Sequence, residues 1–487
     1  MRRFEVIFFG AIFLLLVAFT TWRPLFPNYD TYYALIWGSE LFSGQLPDYD
    51  VFKTPTPHPL FNVYAGVVGL FGGATIKVIL IASLAMYVGL LWGVFRLVKL
   101  QLGSLVGLVA VLVLLTRTDL MAYAFRSMLD IPFLLMIVWA AVLEVQKPRR
   151  GYAPLVLLLM AGLLRPEAWL MAGIYWLWLA LGWVRPQLEL PGERPDVGKL
   201  IWCALLVGAA PIAWAVADWI VAGDPKYSFS STQEVAGQVR RQKSLFGAIA
   251  ALPGFVGGSE KIVNFWAGGA GFLLAFWVYR ARMFMLAALA VVGVITYLLI
   301  AIGGLSVIPR YLVIPSIVLC IGVAFSLVGW ARLSGTARKV GVALAILTVL
   351  LGLVRAPAYV NNFRALNTST DDVSVKYSRI YDILENPKVR GKVEQCLPVV
   401  AFTHETVPII RLLMDLPKDQ VPATTSLDAP PTEGTQLLLT SSLDPLQMTV
   451  VDRVLRKEWT GFHQPGFKFQ GENRAWIVYT SCDKEGS

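Results

Sequence analysis

The sequence predicts a polytopic α-helical membrane protein that ends in a small extracytoplasmic α/β domain. Three observations carry this. The 487 residues are 56% hydrophobic and only 15% charged, too apolar for one soluble core of this length. The apolar residues fall into repeated runs of about 20, the length that crosses a bilayer as a helix. After about residue 355 those runs shrink to the length of strands and short helices.

Met1-Arg2-Arg3 precedes an apolar run over 4–20. A cleaved leader shares this layout, but no small-x-small site follows, so a retained first span is expected. Further runs cover 75–97, 103–118, 129–146, 152–164, 166–183, 199–222, 263–280, 283–302, 311–331 and 339–355, making about eleven. They must be helical, because lipid offers the backbone no hydrogen-bond partner.

Charge orients the set. With the N-terminus inside, the inner connections hold Arg2/Arg3, Arg96/Lys99, Lys147/Arg149/Arg150, Arg185/Arg194/Lys199, Arg280/Arg282 and Arg332/Arg338/Lys339. Basic inner connections are the expected signature, and they account for the net charge of +10 without nucleic acid. The opening loop (21–74), the loops 117–130, 223–262 and 303–311, and everything after Arg355 then lie outside. Two domains are expected: a membrane domain over 1–355 that includes the outer loop 21–74, and a soluble domain over 356–487. In the latter, "PVVAFT", "TQLLLTSS" and "RAWIVYTSC" read as strands and "VPIIRLLMDL" as a helix.

Four cysteines are too few for a disulfide framework. Cys203 and Cys320 sit in apolar runs as buried thiols. Cys396 and Cys482 share the polar tail, where an oxidising compartment would allow them to pair.

The polar residues of interest gather on the outer side. In "PNYDTYYALIWGSELFSGQLPDYD" (27–50), Asp30 has Tyr29, Tyr32 and Tyr33 as neighbours. It reads either as the N-cap of the helix "TYYALIWGSELF" or as a functional carboxylate beside aromatic rings suited to a sugar or to a membrane interface. "FKTPTPHPL" (52–60) adds Lys53 and His58 in a loop stiffened by Pro55, Pro57 and Pro59. His58 alone does not suggest a metal, since the chain has three histidines. In "RSMLDIPF", Asp130 is either the partner of Arg126 at a helix end or a second site carboxylate, with Asp119 a weaker candidate. "GLLRPEAWL" sets Arg165 and Glu167 around a proline between two apolar runs too short together for two full spans, so both charges should face a cavity. "VIPRYLVIP" brings Arg310 and Tyr311; the arginine fork suits a phosphate, or it snorkels to headgroups.

Taken in order, "NYDTYYA", "KTPTPHPLFNVYAGVVGLFG", the R-x-x-L-D-x-P of Arg126–Pro132, the L-R-P-E break and the late P-R-Y-L-x-x-P resemble the GT-C superfamily of membrane glycosyltransferases. The likeness is to the dolichyl-phosphate-mannose protein mannosyltransferase and aminoarabinose transferase type, and it covers most of the membrane region. It implies the GT-C fold in a bacterial cell membrane, a polyprenyl-phosphate sugar donor, and a glycan, lipid or protein acceptor. Asp30 would be the catalytic base and Asp130 a second active-site carboxylate. Lys53, Arg165, Arg310 and Tyr311 would serve the lipid phosphate, and Tyr29, Tyr33, His58, Arg126 and Glu167 would shape the cavity. Asp30 is flanked by Tyr29 and Thr31, unlike members with adjacent paired acids, which leaves a divalent cation open. Inversion in one displacement is expected by analogy. A transporter or flippase of a lipid-linked sugar is the main alternative, but no inverted repeat or matched pair of broken helices is present. A non-catalytic scaffold with a docking tail is the other.

Overall fold

A computed structural model describes residues 2–185, 191–238, 240–258, 261–440 and 454–482. Its first helices are α1 (Arg2–Trp22), α2 (Tyr29–Phe42), α3 (Pro59–Gly69), α4 (Thr75–Gln101), α5 (Ser104–Leu115) and α6 (Thr118–Phe125). Next come α7 (Asp130–Gln146), α8 (Tyr152–Leu164), α9 (Glu167–Val184), α10 (Val197–Ala222), α11 (Tyr227–Gln238) and α12 (Leu245–Val256). The last are α13 (Gly268–Tyr279), α14 (Phe284–Ile302), α15 (Val313–Val328), α16 (Gly335–Leu384), α17 (Pro387–Gln395) and α18 (Val407–Met414).

Each of the eleven apolar runs contains a helix. Seven helical stretches among the described residues are long and apolar enough to cross a bilayer, or eight if α5 and α6, bent by 69°, form one span. The smaller number arises because α7 has 17 residues and α8 has 13, and because Val263–Ile302 is one stretch of 40 that contains α13 and α14. The chain is an integral membrane protein.

Contacts divide it into two compact units. One comprises Met1–Phe19, His58–Phe61 and Lys77–Asn367, and the other Thr20–Pro57, Asn62–Ile76 and Thr368–Ser487. This differs from the expected division at 355. Most of the opening loop groups with the C-terminal part, and α16 continues past Arg355 to Leu384, with Pro357 inside it.

In the first unit the stretch Pro309–Arg332, which holds α15, is 83% buried across its apolar window, whereas Arg3–Trp22 is 11% buried. The former is the most buried of these stretches, and the latter leaves most of its side chains exposed. Between helices in lipid, small residues permit close backbone approach. A Cβ on Gly271 would lie 2.1 Å from the Gly322 carbonyl, and one on Gly322 would lie 2.0 Å from that of Gly268. Ser326 Oγ donates to the Ala267 carbonyl at 2.7 Å, so this crossing also satisfies its hydroxyl. Near the start of the chain, buried Glu5 of α1 forms ion pairs with Arg96 Nε (2.6 Å) and Lys99 Nζ (2.7 Å) of α4.

The second unit has a four-stranded sheet ordered β1-β2-β4-β3, from β1 (Val399–Ala401), β2 (Gly434–Leu439), β3 (Lys468–Glu472) and β4 (Trp476–Ser481). β1 and β2 are parallel, the other pairs antiparallel. Trp476, fully buried, donates from Nε1 to the Lys376 carbonyl of α16 at 2.7 Å. Tyr377, Ile380 and Leu384 join Val399, Leu437 and Val478 in its core. Cys396, after α17, is bonded to Cys482, after β4; Cys203 and Cys320 are free and buried.

The glycine crossing gives a direct test. Gly322→Val should destabilise the detergent-purified protein by about 1–3 kcal/mol, the usual cost of overpacking, read as a lower thermal midpoint. Gly173→Val, where nothing lies within 4 Å of the new Cβ, should leave the midpoint unchanged.

Candidate functional site

Three helix starts of the first unit bring charge together. The α8–α9 break follows from Pro166: the residue before a proline avoids helical backbone, and Arg165 is extended (φ −151°, ψ 133°). α8 therefore stops at Leu164, and Glu167 opens α9 with its carboxylate in the first turn, where the helix dipole favours negative charge. Asp130 opens α7 in the same way, and Pro132 falls in the first turn, where no backbone donor is needed.

The Arg165 guanidinium lies between the two carboxylates. Nε and Nη2 donate to Glu167 Oε1 at 2.8 and 2.5 Å, and Nη1 donates to Asp130 Oδ1. The three residues are 2–6% exposed. The flat cation also lies 5.3 Å from the Phe133 ring and 4.9 Å from that of Tyr311, a stacking that an arginine makes and a lysine does not. Three of its five donors are thus committed. Asp130 Oδ2 is buried without a hydrogen-bond partner.

The partner of Asp130 is Arg165 and not, as the spacing suggested, a residue one turn earlier. α6 ends at Phe125, and Ser127 takes a left-handed φ of 50°, its Oγ donating to the Ile79 carbonyl at 3.2 Å. Arg126 and Asp130 therefore belong to no common helix. Asp119 clamps the buried Arg117, Nε to Oδ1 at 2.9 Å and Nη2 to Oδ2 at 2.5 Å, and Arg117 also donates to Ser316. Asp119 is its counterion.

Arg310 and Tyr311 sit in a single 3₁₀ turn (Pro309–Leu312) ahead of α15, with the Arg310 guanidinium 5.8 Å from the Tyr311 ring. Asp130, Arg165, Glu167, Arg310 and Tyr311 line one narrow cavity. His58 keeps some exposure, but its Nδ1 is buried without a partner. Burial lowers the imidazole pKa, and Arg165 and Arg310 lower it further, so the ring is neutral at physiological pH.

The second unit holds the other candidates. The N-cap of α2 is Asn28, whose Oδ1 accepts from Thr31 N (3.1 Å) and Oγ1 (2.6 Å). The capping role considered for Asp30 thus falls to Asn28, and Asp30 lies in the first turn, half-buried. Tyr29 Oη donates to the Lys53 carbonyl at 2.6 Å. Lys53 has φ +54°, a conformation costing on the order of 1–3 kcal/mol for a non-glycine residue and found disproportionately at functional sites. Tyr29 packs edge-on against Tyr33 and His404, each 5.0 Å between centroids.

The remaining acids of the opening stretch have structural partners. Lys418 Nζ lies 3.1 Å from Asp48 Oδ1 and 3.3 Å from Asp50 Oδ2. Glu40 accepts from the Asp48 backbone N–H at 3.0 Å and lies 3.5 Å from Arg411 Nη2. His404, Arg411 and Lys418 were not read as site residues. The available signal was Arg411, a single charge inside the apolar helix "VPIIRLLMDL", now seen 5% exposed in α18.

Among the described residues no group of three or more His, Cys, Asp or Glu side chains is placed to hold a metal. Asp130 and Glu167 do not fit a divalent ion, because the guanidinium already lies between them.

No family model and no curated protein matches the sequence. The solved structures that match include two that align over nearly the whole length. ArnT from Cupriavidus metallidurans bound to undecaprenyl phosphate aligns with a TM-score of 0.57 at 15% identity, covering 97% of each chain. The same protein in its apo state aligns with a TM-score of 0.51, again at 15% identity and 97% of each chain. The chain has the GT-C fold.

The charge cluster predicts a specific pattern of stability. Arg165→Met strands two buried carboxylates and should cost about 3–5 kcal/mol, read as a lower thermal midpoint. The triple variant Arg165→Met, Asp130→Asn, Glu167→Gln should recover part of that loss, since nothing charged is left uncompensated.

Proposed function

We propose that this protein is a glycosyltransferase that moves a sugar from a polyprenyl-phosphate donor to an acceptor hydroxyl on the extracytoplasmic side of the membrane. The observation that carries the reading is the buried Asp130–Arg165–Glu167 cluster, which shares a cavity with Arg310 and Tyr311 at three helix starts. The GT-C fold, in a chain that aligns with a protein solved with undecaprenyl phosphate, supports it.

The roles follow from chemistry. Arg165 is committed to two carboxylates, so it organises the cavity, and Arg310 supplies the cation for the donor phosphate. Lys53 is assigned to the donor phosphate on its chemistry, since an ammonium stabilises a leaving phosphate. Asp30 is the base. The acceptor oxygen attacks the anomeric carbon, and the carbon–oxygen bond to phosphate breaks with its electron pair leaving on the phosphate. The acceptor proton passes to Asp30. One displacement of this kind inverts the anomeric centre. Asp30 suits the task because a base must be ionised before it acts, and the first turn of a helix favours a carboxylate's negative charge. Asp130 holds Arg165 in place and presents Oδ2 to the cavity as an acceptor for a substrate hydroxyl. The sugar and the acceptor, whether glycan, lipid or protein, are to be identified by assay.

The test is transfer of radiolabelled sugar from a panel of polyprenyl-phosphate donors by purified protein. Wild type should consume one donor, and Asp30→Asn, correctly folded, should lose about 10²–10⁴-fold in rate, the usual contribution of a general base. Full activity in Asp30→Asn would remove the base assignment; consumption of no donor would remove the transferase reading.

A further inference from the structure

A second cavity of about 420 Å³ opens in the first unit, within the range of about 300–1,000 Å³ typical of ligand sites. It lies toward the far end of α7: Glu144, which lines it, is fourteen residues on from Asp130, about 21 Å along a helix. Apolar side chains of α4, α7, α8, α9 and α14, among them Leu158, Trp178 and Leu289, make its wall.

Polar groups break the wall at a few points. Gln101, at the end of α4, is 4% exposed and lines the cavity, and neither atom of its amide has a hydrogen-bond partner. A buried amide with both atoms unsatisfied calls for a ligand or solvent that offers a donor and an acceptor. Arg282 is exposed at the rim, in the short turn ahead of α14. Glu144, the acidic residue on the wall, is already held by Tyr175 Oη (2.6 Å), Trp178 Nε1 (3.0 Å) and the Arg149 backbone N–H (2.8 Å), so it is spent as an acceptor.

We propose that this cavity is a binding site for a membrane glycerophospholipid, with an acyl chain against the apolar wall and the phosphate at Arg282. An ester carbonyl of the lipid accepts from Gln101 Nε2–H, and a hydroxyl of a phosphatidylglycerol head group donates to Gln101 Oε1. An apolar space in a membrane protein, with a cation at its rim and an orphaned amide inside, matches an amphiphile better than a water-soluble metabolite. The site is independent of the transferase reading.

Native mass spectrometry on full-length protein, delipidated in detergent and titrated with phosphatidylglycerol, tests this. Wild type should retain one phospholipid adduct at low lipid excess. Ala288→Trp, which fills the cavity, should abolish that adduct; Arg282→Ala should weaken it at least tenfold and Gln101→Leu several-fold. Leu205→Trp, on an exposed face of α10, should leave it intact. Should Ala288→Trp fail to fold, the rim and amide variants decide the matter. Equal retention by wild type, Arg282→Ala and Gln101→Leu would mean an adventitious additive only. Displacement of the adduct by undecaprenyl phosphate at matched concentration would assign the cavity to the carrier lipid and overturn the proposal.

Discussion

A guanidinium held between two carboxylates, all buried within a membrane bundle, is the interaction on which the candidate site depends. Away from water an unpaired charge is costly, and here each of three charges is tolerable only because the other two are present. Pro166 interrupts the helix and frees Arg165 from it, while Glu167 and Asp130 each open a helix whose dipole favours their charge. The aromatic faces of Phe133 and Tyr311 fix the plane of the fork. Backbone, helix dipole and side-chain charge therefore specify one arrangement, and Arg310 reaches the same cavity from the turn before α15.

The second unit uses charge differently. Its opening stretch is acidic largely because it packs with cationic residues from the other end of the chain: Lys418 holds Asp48 and Asp50, and Arg411 faces Glu40. These pairs are partly exposed and individually modest. Together with the Tyr29–His404 contact they tie residues 29–50 to the C-terminal fold.

Much of this was legible in the sequence. Apolar runs of spanning length could only be helices, and L-R-P-E contains its own explanation, since proline forces the break and the break needs the charges inside. Strands β1, β2 and β4 stood out as apolar. β3, "KFQGE", did not, because it is a polar edge strand recognisable only by its pairing with β4. The continuation of α16 beyond Arg355 was hidden because its residues turn polar and include Pro357 and several Asn, Thr, Ser and Asp residues, all weak helix formers. Long-range pairing was the larger gap. Sequence spacing offered Arg126 to Asp130, whereas the fold offers Arg165, 35 positions away. The same holds for Lys418 and Asp48, 370 positions apart. Local periodicity carries no information on such partners.

The central claim is that the cavity organised by Arg165 receives a polyprenyl phosphate through Arg310. The most direct test is equilibrium binding of undecaprenyl phosphate to purified protein in nanodiscs, followed by titration calorimetry, for wild type, Arg310→Ala and Asp30→Asn. Saturable binding by wild type, at least tenfold weaker in Arg310→Ala and unchanged in Asp30→Asn, is the predicted result, because the first variant removes the phosphate's cation and the second only the base. Equal affinity for wild type and Arg310→Ala would contradict the account.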